Sequence, residues 1–165
     1  MDNFETERTR AERLQPIHFN ELCIMHNDPK VMETLEGIRT QEQTREWLEK
    51  NLRQWQEHGY GIWIFREKTS SAFLGRAGLR NLMIENRDEI ELAFALMSPY
   101  WGMGLGTEIA LALVNVAKGI GLTSLVSFTY KTNTASKRVM EKAGFVYDRD
   151  IIYKNKPCVL SRKLL

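Results

Sequence analysis

The spacing of apolar residues divides the first half of the chain into a few elements. Residues 1–14 are charged and weakly patterned, and residues 17–25 predict a short helix. A longer helix begins after Thr40, where Gln43 completes a capping box, and ends at Gly59. Alternating positions then predict three strands joined in series, an arrangement in which neighbours pair antiparallel. These strands cover residues 60–66, 72–79 and 89–97, and a loop covers residues 81–88.

The second half alternates between helices and strands. A strand, a helix and a strand follow one another around residues 92–128, so the strands that end at Met97 and Phe128 form a βαβ unit and run parallel. The helices cover residues 107–117 and 134–143, and the remaining strands cover residues 122–128, 145–153 and 158–165. These elements predict one domain, residues 1–165, of the α+β class: a mixed sheet with helices on both faces.

A glycine-rich turn joins the strand at residues 92–97 to the helix that follows it. Pro99 stops the strand, and Gly102, Gly104 and Gly106 follow at alternate positions. Bare backbone N–H groups at a helix N-terminus attract anions, so the turn is a candidate site for a phosphate or pyrophosphate. The alternative is a tight turn that only joins two core elements. The turn lacks the lysine of a P-loop, and its Gly-x-Gly-x-Gly spacing differs from the dinucleotide fingerprint.

Composition narrows the class of protein. The chain has 165 residues, 43% of them hydrophobic and 27% charged, as in an ordinary soluble domain. A net charge of +2 is too small to favour a nucleic-acid partner. We find no apolar run long enough for a membrane span and no metal-like ligand spacing, so we expect neither a membrane partner nor a metal. Cys23 and Cys158 are expected to be free thiols in the cytoplasm, and a homodimer is the usual oligomer.

Two motifs resemble a known family. The run from Trp101 to Gly106 is similar to the pyrophosphate loop of the GNAT N-acetyltransferases, Gln/Arg-x-x-Gly-x-Gly/Ala, except at its first position. The longer run from Pro99 to Glu108 resembles the RimJ/RimL branch, which acetylates protein N-termini and other amines. The branch's second motif, Asn-x-x-Ser followed by Glu-Lys-x-Gly-Phe, is matched over residues 133–145. The resemblance covers nearly the whole chain and implies the GNAT fold, a mostly antiparallel twisted sheet in which one parallel pair of strands splays apart. It also implies that the first strand of the fold lies within residues 6–14.

The resemblance also implies a reaction: transfer of the acetyl group of acetyl-CoA to a primary amine, on a protein N-terminus or a small molecule. The turn's N–H groups would hold the pyrophosphate, and the end of the preceding strand would hold the pantetheine arm. Asn133 would contact the pantetheine or thioester, or it serves only as a helix N-cap. The expected cofactor-binding residues are Phe94, Ala95, Leu96, Met97, Trp101, Gly102, Met103, Gly104, Leu105, Gly106, Thr107 and Asn133.

Glu91 is the candidate base, because it stands at the glutamate of the family's Glu-Ile-Gly-Tyr pattern. Its alternative role is that of a solvated strand residue like Glu89. Ser136 is the candidate acid for the leaving thiolate by its motif position, and Tyr130 is a second candidate. No cysteine or serine has the context of a nucleophile, so we expect direct attack by the amine in a ternary complex.

Two other functions compete with acetyl transfer. One is a non-catalytic module that binds or senses acyl-CoA, and the other is a nucleotide-binding protein that uses the turn for a different phosphate. The acceptor is open among a ribosomal-protein N-terminus, a polyamine, an amino acid and an antibiotic amine. We expect residues 17–58 and 153–157 to line its pocket. Four acidic residues there either draw a cationic amine or form solvated helix faces: Glu33, Glu36, Glu46 and Glu49.

Overall fold

A computed structural model describes residues 2–165 as one eight-stranded sheet with helices packed on it. The strands are β1 (Asn3–Glu5), β2 (Thr9–Arg13), β3 (Ile62–Glu67), β4 (Phe73–Ile84), β5 (Arg87–Leu96), β6 (Ser124–Tyr130), β7 (Val146–Tyr153) and β8 (Lys156–Leu164). The helices are α1 (Phe19–His26), α2 (Pro29–Met32), α3 (Gln41–His58), α4 (Leu105–Gly119) and α5 (Thr134–Lys142). No helix within residues 2–165 combines the length and the apolar character that crossing a membrane requires.

The sheet has the order β1-β2-β3-β4-β5-β6-β8-β7, and its neighbours pair antiparallel except β5 and β6, which run parallel. This confirms the predicted mixed sheet and its one parallel pair. The predicted capping box is also present, since Thr40 accepts a hydrogen bond from the Gln43 N–H and Gln43 accepts one from the Thr40 N–H. Gly59 ends α3 in the left-handed conformation, with φ 75°.

The loop predicted over residues 81–88 is wrong. β4 and β5 continue as a hairpin through this segment and turn only at Glu85 and Asn86, both of which have positive φ. Two positive-φ residues make the tight turn whose twist matches a β-hairpin. Leu82 and Ile84 explain the extension, because they pack against a second apolar cluster that includes β6 and β8. A further strand, β1, was not predicted, and it pairs with β2 at the sheet edge.

The two faces of the β4–β5 pair carry different helices. Alternate residues on one face, such as Leu79, Leu92 and Leu96, share a core with the apolar side of α4. On the other face, Ala95 packs against Met25 of α1 and Met32 of α2. The sheet therefore separates an α4 side from an α1–α2 side, and this division positions the site.

The parallel pair opens on one side of Glu91. Across the part of the chain described here, β5 and β6 form a single bridge, between Glu91 and Val126. Beyond it, residues 92–96 remain paired with β4, and residues 127–130 remain paired with β8. The facing edges of β5 and β6 consequently leave backbone N–H and C=O groups without strand partners. This is the splay that the resemblance implies.

Candidate active site

A cavity of about 630 Å³ lies at the splay and reaches both faces of the sheet. It brings together most of the residues proposed from the sequence: Glu91, Phe94, Ala95, Leu96, Trp101, Gly102, Gly104, Leu105, Gly106, Thr107, Asn133 and Ser136. Met97 and Met103 do not line it. Met103 is half-exposed, and its carbonyl accepts a hydrogen bond from Arg8 Nη1 at 2.8 Å.

The glycine turn presents open donors at one end of the cavity. Gly102 and Gly104 have φ of 73° and 78°, a conformation that glycine adopts without strain. Gly104 is the N-cap of α4 and provides no side-chain cap. Within residues 2–165, the N–H groups of residues 102–107 donate to no acceptor, and the first paired amide is that of Glu108. A row of free N–H groups at a helix N-terminus is a site for an anion such as a pyrophosphate.

Arg8 supports the turn from outside the cavity. Its Nε donates to Glu108 Oε1 at 2.8 Å, while its backbone N–H and the Thr6 hydroxyl donate to Oε2 at 2.9 and 2.6 Å. Burial acts to raise the pKa of Glu108, but these hydrogen bonds lower it, so the carboxylate stays charged. Arg8 neutralises that charge beside the free N–H groups of the turn. The sequence did not indicate this role, because Arg8 and Glu108 lie 100 positions apart.

Glu91 lies at the vertex of the splay and is only 5% exposed. Its Oε2 accepts two hydrogen bonds from Arg80, at 2.6 Å from Nη2 and 3.1 Å from Nε. Oε1 accepts none from residues 2–165, and the side chain lines the cavity. Glu91 is therefore buried rather than solvated, with one oxygen fixed by an arginine and the other open to a ligand.

Asn133 and Ser136 lie together at the start of α5. Asn133 Oδ1 accepts the Ser136 N–H at 3.1 Å, so the predicted N-cap is present. Its amide nitrogen makes no hydrogen bond within the described chain, which leaves it available to a ligand in the cavity. The Ser136 hydroxyl is likewise unbonded and lines the same cavity. The Tyr130 hydroxyl, in contrast, accepts the Glu36 N–H at 3.2 Å.

Basic side chains cover the α1–α2 side of the cavity, and the sequence did not indicate their convergence. The cavity lining on this side includes Arg39, Lys50, Arg76 and Arg80. Arg76 is 6% exposed, and its Nε donates to His26 Nε2 at 3.0 Å while its guanidinium lies over the Trp47 ring. Burial, with the charges of Arg76 and Arg39, lowers the pKa of His26 to about 2, so the imidazole is neutral.

Comparison with known proteins gives the class. A family model described as "Acetyltransferase (GNAT) domain" matches residues 8–146, and the chain belongs to that family. Protein YkkB of Bacillus subtilis, described as uncharacterized, is 33% identical over 144 residues, which span 85% of this chain and 83% of YkkB. As a member of the GNAT family, the protein is an acetyltransferase that uses acetyl-CoA to acetylate an amine.

Solved structures confirm the fold class. A putative GNAT-family acetyltransferase from Bordetella pertussis superposes with a TM-score of 0.86 at 20% identity, over 99% of both chains. RimL, the ribosomal L7/L12 alpha-N-protein acetyltransferase in complex with coenzyme A, gives a TM-score of 0.81 at 14% identity, over 97% of this chain and 96% of that chain. These superpositions establish a common fold. The sequence identities are too low to identify the amine that this protein acetylates.

Proposed function

We propose that this protein transfers the acetyl group of acetyl-CoA directly to a primary amine held beside Glu91. The observation that carries the proposal is the continuity of the cavity, which joins the free N–H groups of residues 102–107 to the buried Glu91 through the splay. The turn would take the pyrophosphate of acetyl-CoA. The unpaired edge at Phe94–Leu96 would take the pantetheine arm, as an added strand would, with Asn133 near the thioester.

In this proposal each step is assigned to a side chain that lines the cavity. Glu91 Oε1 takes a proton from the ammonium form of the acceptor, directly or through a water, which leaves a neutral amine. The amine nitrogen attacks the thioester carbon, so a C–N bond forms and the C–S bond breaks. The surplus proton on nitrogen passes to the departing thiolate through the Ser136 hydroxyl. The products are the acetamide and coenzyme A, with no acyl-enzyme between them.

The protonation state of the acceptor explains the need for a base. An alkylamine has a pKa of about 10.4 and an α-amine one of about 7.7–8.0, so at neutral pH the first is almost fully protonated and the second largely so. The burial of Glu91 places its open oxygen in a site with little competing water. A positioned base of this kind contributes about 10²- to 10⁴-fold to rate.

Glu91→Gln tests the proposal, with Glu89→Gln as the matched control. Glu89 lies on the same strand face and is paired with Arg162 at 2.8 Å, so both variants lose an ion-paired strand glutamate. We expect Glu91→Gln to lower kcat for thiol release about 10²- to 10⁴-fold with an unchanged KM for acetyl-CoA. Glu89→Gln should retain turnover. Equal turnover by both variants would exclude Glu91 as the base. If the parent protein binds acetyl-CoA but releases no thiol with any amine, it is a non-catalytic binding module.

A further inference from the structure

The basic side chains on the α1–α2 side of the cavity have too few acidic partners. Six cations and three acids line this side of the cavity. The cations are Lys30, Arg39, Lys50, Arg76, Arg80 and Lys154, and the acids are Glu33, Glu36 and Glu91. Arg80 is paired with Glu91, and Arg39 Nη2 is 3.5 Å from Glu36. Without a further anion, this region holds an excess of positive charge.

Arg76 is the deepest of these cations and contacts no carboxylate within the described residues. Its Nε donates to the neutral His26 ring, and its charge lies 4.4 Å from the centre of the Trp47 ring. The two Nη atoms make no hydrogen bond to residues 2–165, although the side chain is 94% buried and lines the cavity. Burial, followed by the charges of Arg39 and Arg80, lowers the pKa of Arg76 well below the ordinary arginine value.

Arg39 has a second set of unused donors. Its Nη1 is buried and has no hydrogen-bond partner within residues 2–165. Buried polar atoms of folded proteins are nearly always bonded, so such an atom beside a cavity indicates a missing partner. Arg39 and Arg76 thus offer free guanidinium donors in the same region, and guanidinium groups bind carboxylates through paired hydrogen bonds.

The position of this region assigns its anion to the acceptor. The glycine turn begins α4, which packs on the opposite face of the sheet with Leu92 and Leu96. Arg76 and Arg80 share a face with Glu91, since Arg80 pairs with Glu91 and Arg76 with Ala95 in the register of β4 and β5. The phosphates of acetyl-CoA belong at the turn, and the attacking amine belongs beside Glu91.

We propose that the acceptor is a primary amine that also carries a carboxylate, with the amine facing Glu91 and the carboxylate bound by Arg76 and Arg39. This inference rests on the proposed function of the same site. Lys50, which is exposed and lines the cavity, adds a positive field that favours entry of an anion. A polyamine or another polycation would enter against that field. Two sources have the required chemistry: a free amino acid, and a peptide N-terminus with an acidic side chain close by.

Matched acceptors test the proposal by thiol release at saturating acetyl-CoA. One arm compares free amino acids with their decarboxylated amines, such as tyrosine with tyramine and leucine with isoamylamine. The other compares C-terminally amidated peptides that begin Ser-Asp with those that begin Ser-Asn. We expect the carboxylate-bearing member of at least one arm to have a kcat/KM about 10- to 100-fold higher. The arm with the preference identifies the source.

Variants separate carboxylate binding from differences in amine pKa between pair members. Arg39→Gln and Arg76→Gln should each lower the preference ratio about tenfold while the KM for acetyl-CoA stays unchanged. Arg39→Gln keeps the test valid if the deeply buried Arg76 variant fails to fold. Lys118→Gln, at an exposed site on α4 outside the cavity, removes one positive charge as a control and should keep the ratio.

The outcomes distinguish this inference from the proposed function. Tyramine, isoamylamine and Ser-Asn peptides used as well as, or better than, their carboxylate partners would overturn the inference and leave acetyl transfer standing. An unchanged ratio in Arg39→Gln would overturn the assignment of the binding residues. Thiol release from no acceptor at all would overturn the proposed function, and this inference with it.

Discussion

The two ends of the cavity are built in different ways. The end that we propose holds acetyl-CoA, the donor end, consists of main-chain N–H groups on consecutive residues, 102–107, three of which are glycines. The end that we propose holds the amine, the acceptor end, consists of side chains from separate segments, such as Arg39, Arg76 and Glu91, held by ion pairs and a buried histidine. A main-chain site depends on local conformation, whereas a side-chain site depends on charges that must balance one another in a dry environment. The two ends should therefore fail differently when altered.

The largest effect on stability should come from the acceptor end. Arg80→Met leaves the Glu91 carboxylate buried without its partner, and breaking such a pair costs about 2–3 kcal/mol where one member is a quarter exposed. We expect a lower free energy of unfolding in urea but an unchanged affinity of the folded protein for coenzyme A. The double variant Arg80→Met with Glu91→Gln should recover part of the loss. No recovery would mean that the two side chains act independently.

A substitution at the donor end should chiefly lower the affinity for acetyl-CoA. Gly104→Ala places a Cβ on a residue with φ 78°, which costs about 1–2 kcal/mol and works against the conformation that presents the N–H groups. We expect the KM for acetyl-CoA to rise about tenfold. Gly119→Ala is the matched control, because Gly119 lies near the end of the same helix in open space without a positive φ. Equal effects of the two substitutions would show that the turn conformation does not govern binding.

Acid should lower the free energy of unfolding through His26, a buried residue of the acceptor end. The pKa of His26 is about 2 in the folded protein and near 6.5 when unfolded, so the unfolded state takes up a proton that the folded state excludes. Stability is thus fully present above about pH 6.5 and falls as the pH drops below it, by up to ~1.4 kcal/mol per unit.

Unfolding measured between pH 7.5 and 5 tests this slope. His26→Gln should reduce this slope only in part. The remainder is expected because burial also lowers the pKa of His18, which contributes to the slope in the same direction. His58→Gln, at the exposed end of α3, should keep the slope of the parent protein. The same slope in His26→Gln as in the parent would contradict the link between His26 and the stability of this end.

The smallest effect should come from the support beneath the donor end. Arg8→Ala removes the side-chain hydrogen bonds from Nε to Glu108 and from Nη1 to the Met103 carbonyl, at a partly exposed position, and keeps the main-chain bond to Glu108. We expect a two- to fivefold rise in the KM for acetyl-CoA, in keeping with the value of about 0.2–1 kcal/mol for exposed pairs. Arg10→Ala, which loses an exposed hydrogen bond to Ser71, is the control. A larger effect of Arg10→Ala would show that Arg8 has no particular role.

The same contrast explains what the sequence could predict. The donor end is local: Pro99, the alternate glycines and the apolar helix after them determine a strand, a turn and a helix N-terminus in continuous sequence. Asn133 as an N-cap follows from local pattern in the same way. Glu91 was singled out by its place in the family's motif, and its burial is seen only in the structure.

The acceptor end could not be predicted because its members come together only through the register of the sheet. Arg80 follows a predicted strand and precedes a segment whose polar residues favoured a loop, although its backbone is paired through to Ile84. Arg39 lies between helices, and His26 is at the end of one. None of these positions carries a pattern of its own. Of the four acidic residues considered for the acceptor, Glu46 and Glu49 of α3 are exposed and lie outside the cavity, whereas Glu33 and Glu36 line it.

A crystal structure with acetyl-CoA bound tests the central proposal most directly. We expect the pyrophosphate oxygens within hydrogen-bond distance of the N–H groups of residues 102–107, the pantetheine arm along Phe94–Leu96 in the splay, and the thioester carbon on the Glu91 side. Acetyl-CoA bound elsewhere, with those N–H groups still without an acceptor, would contradict it.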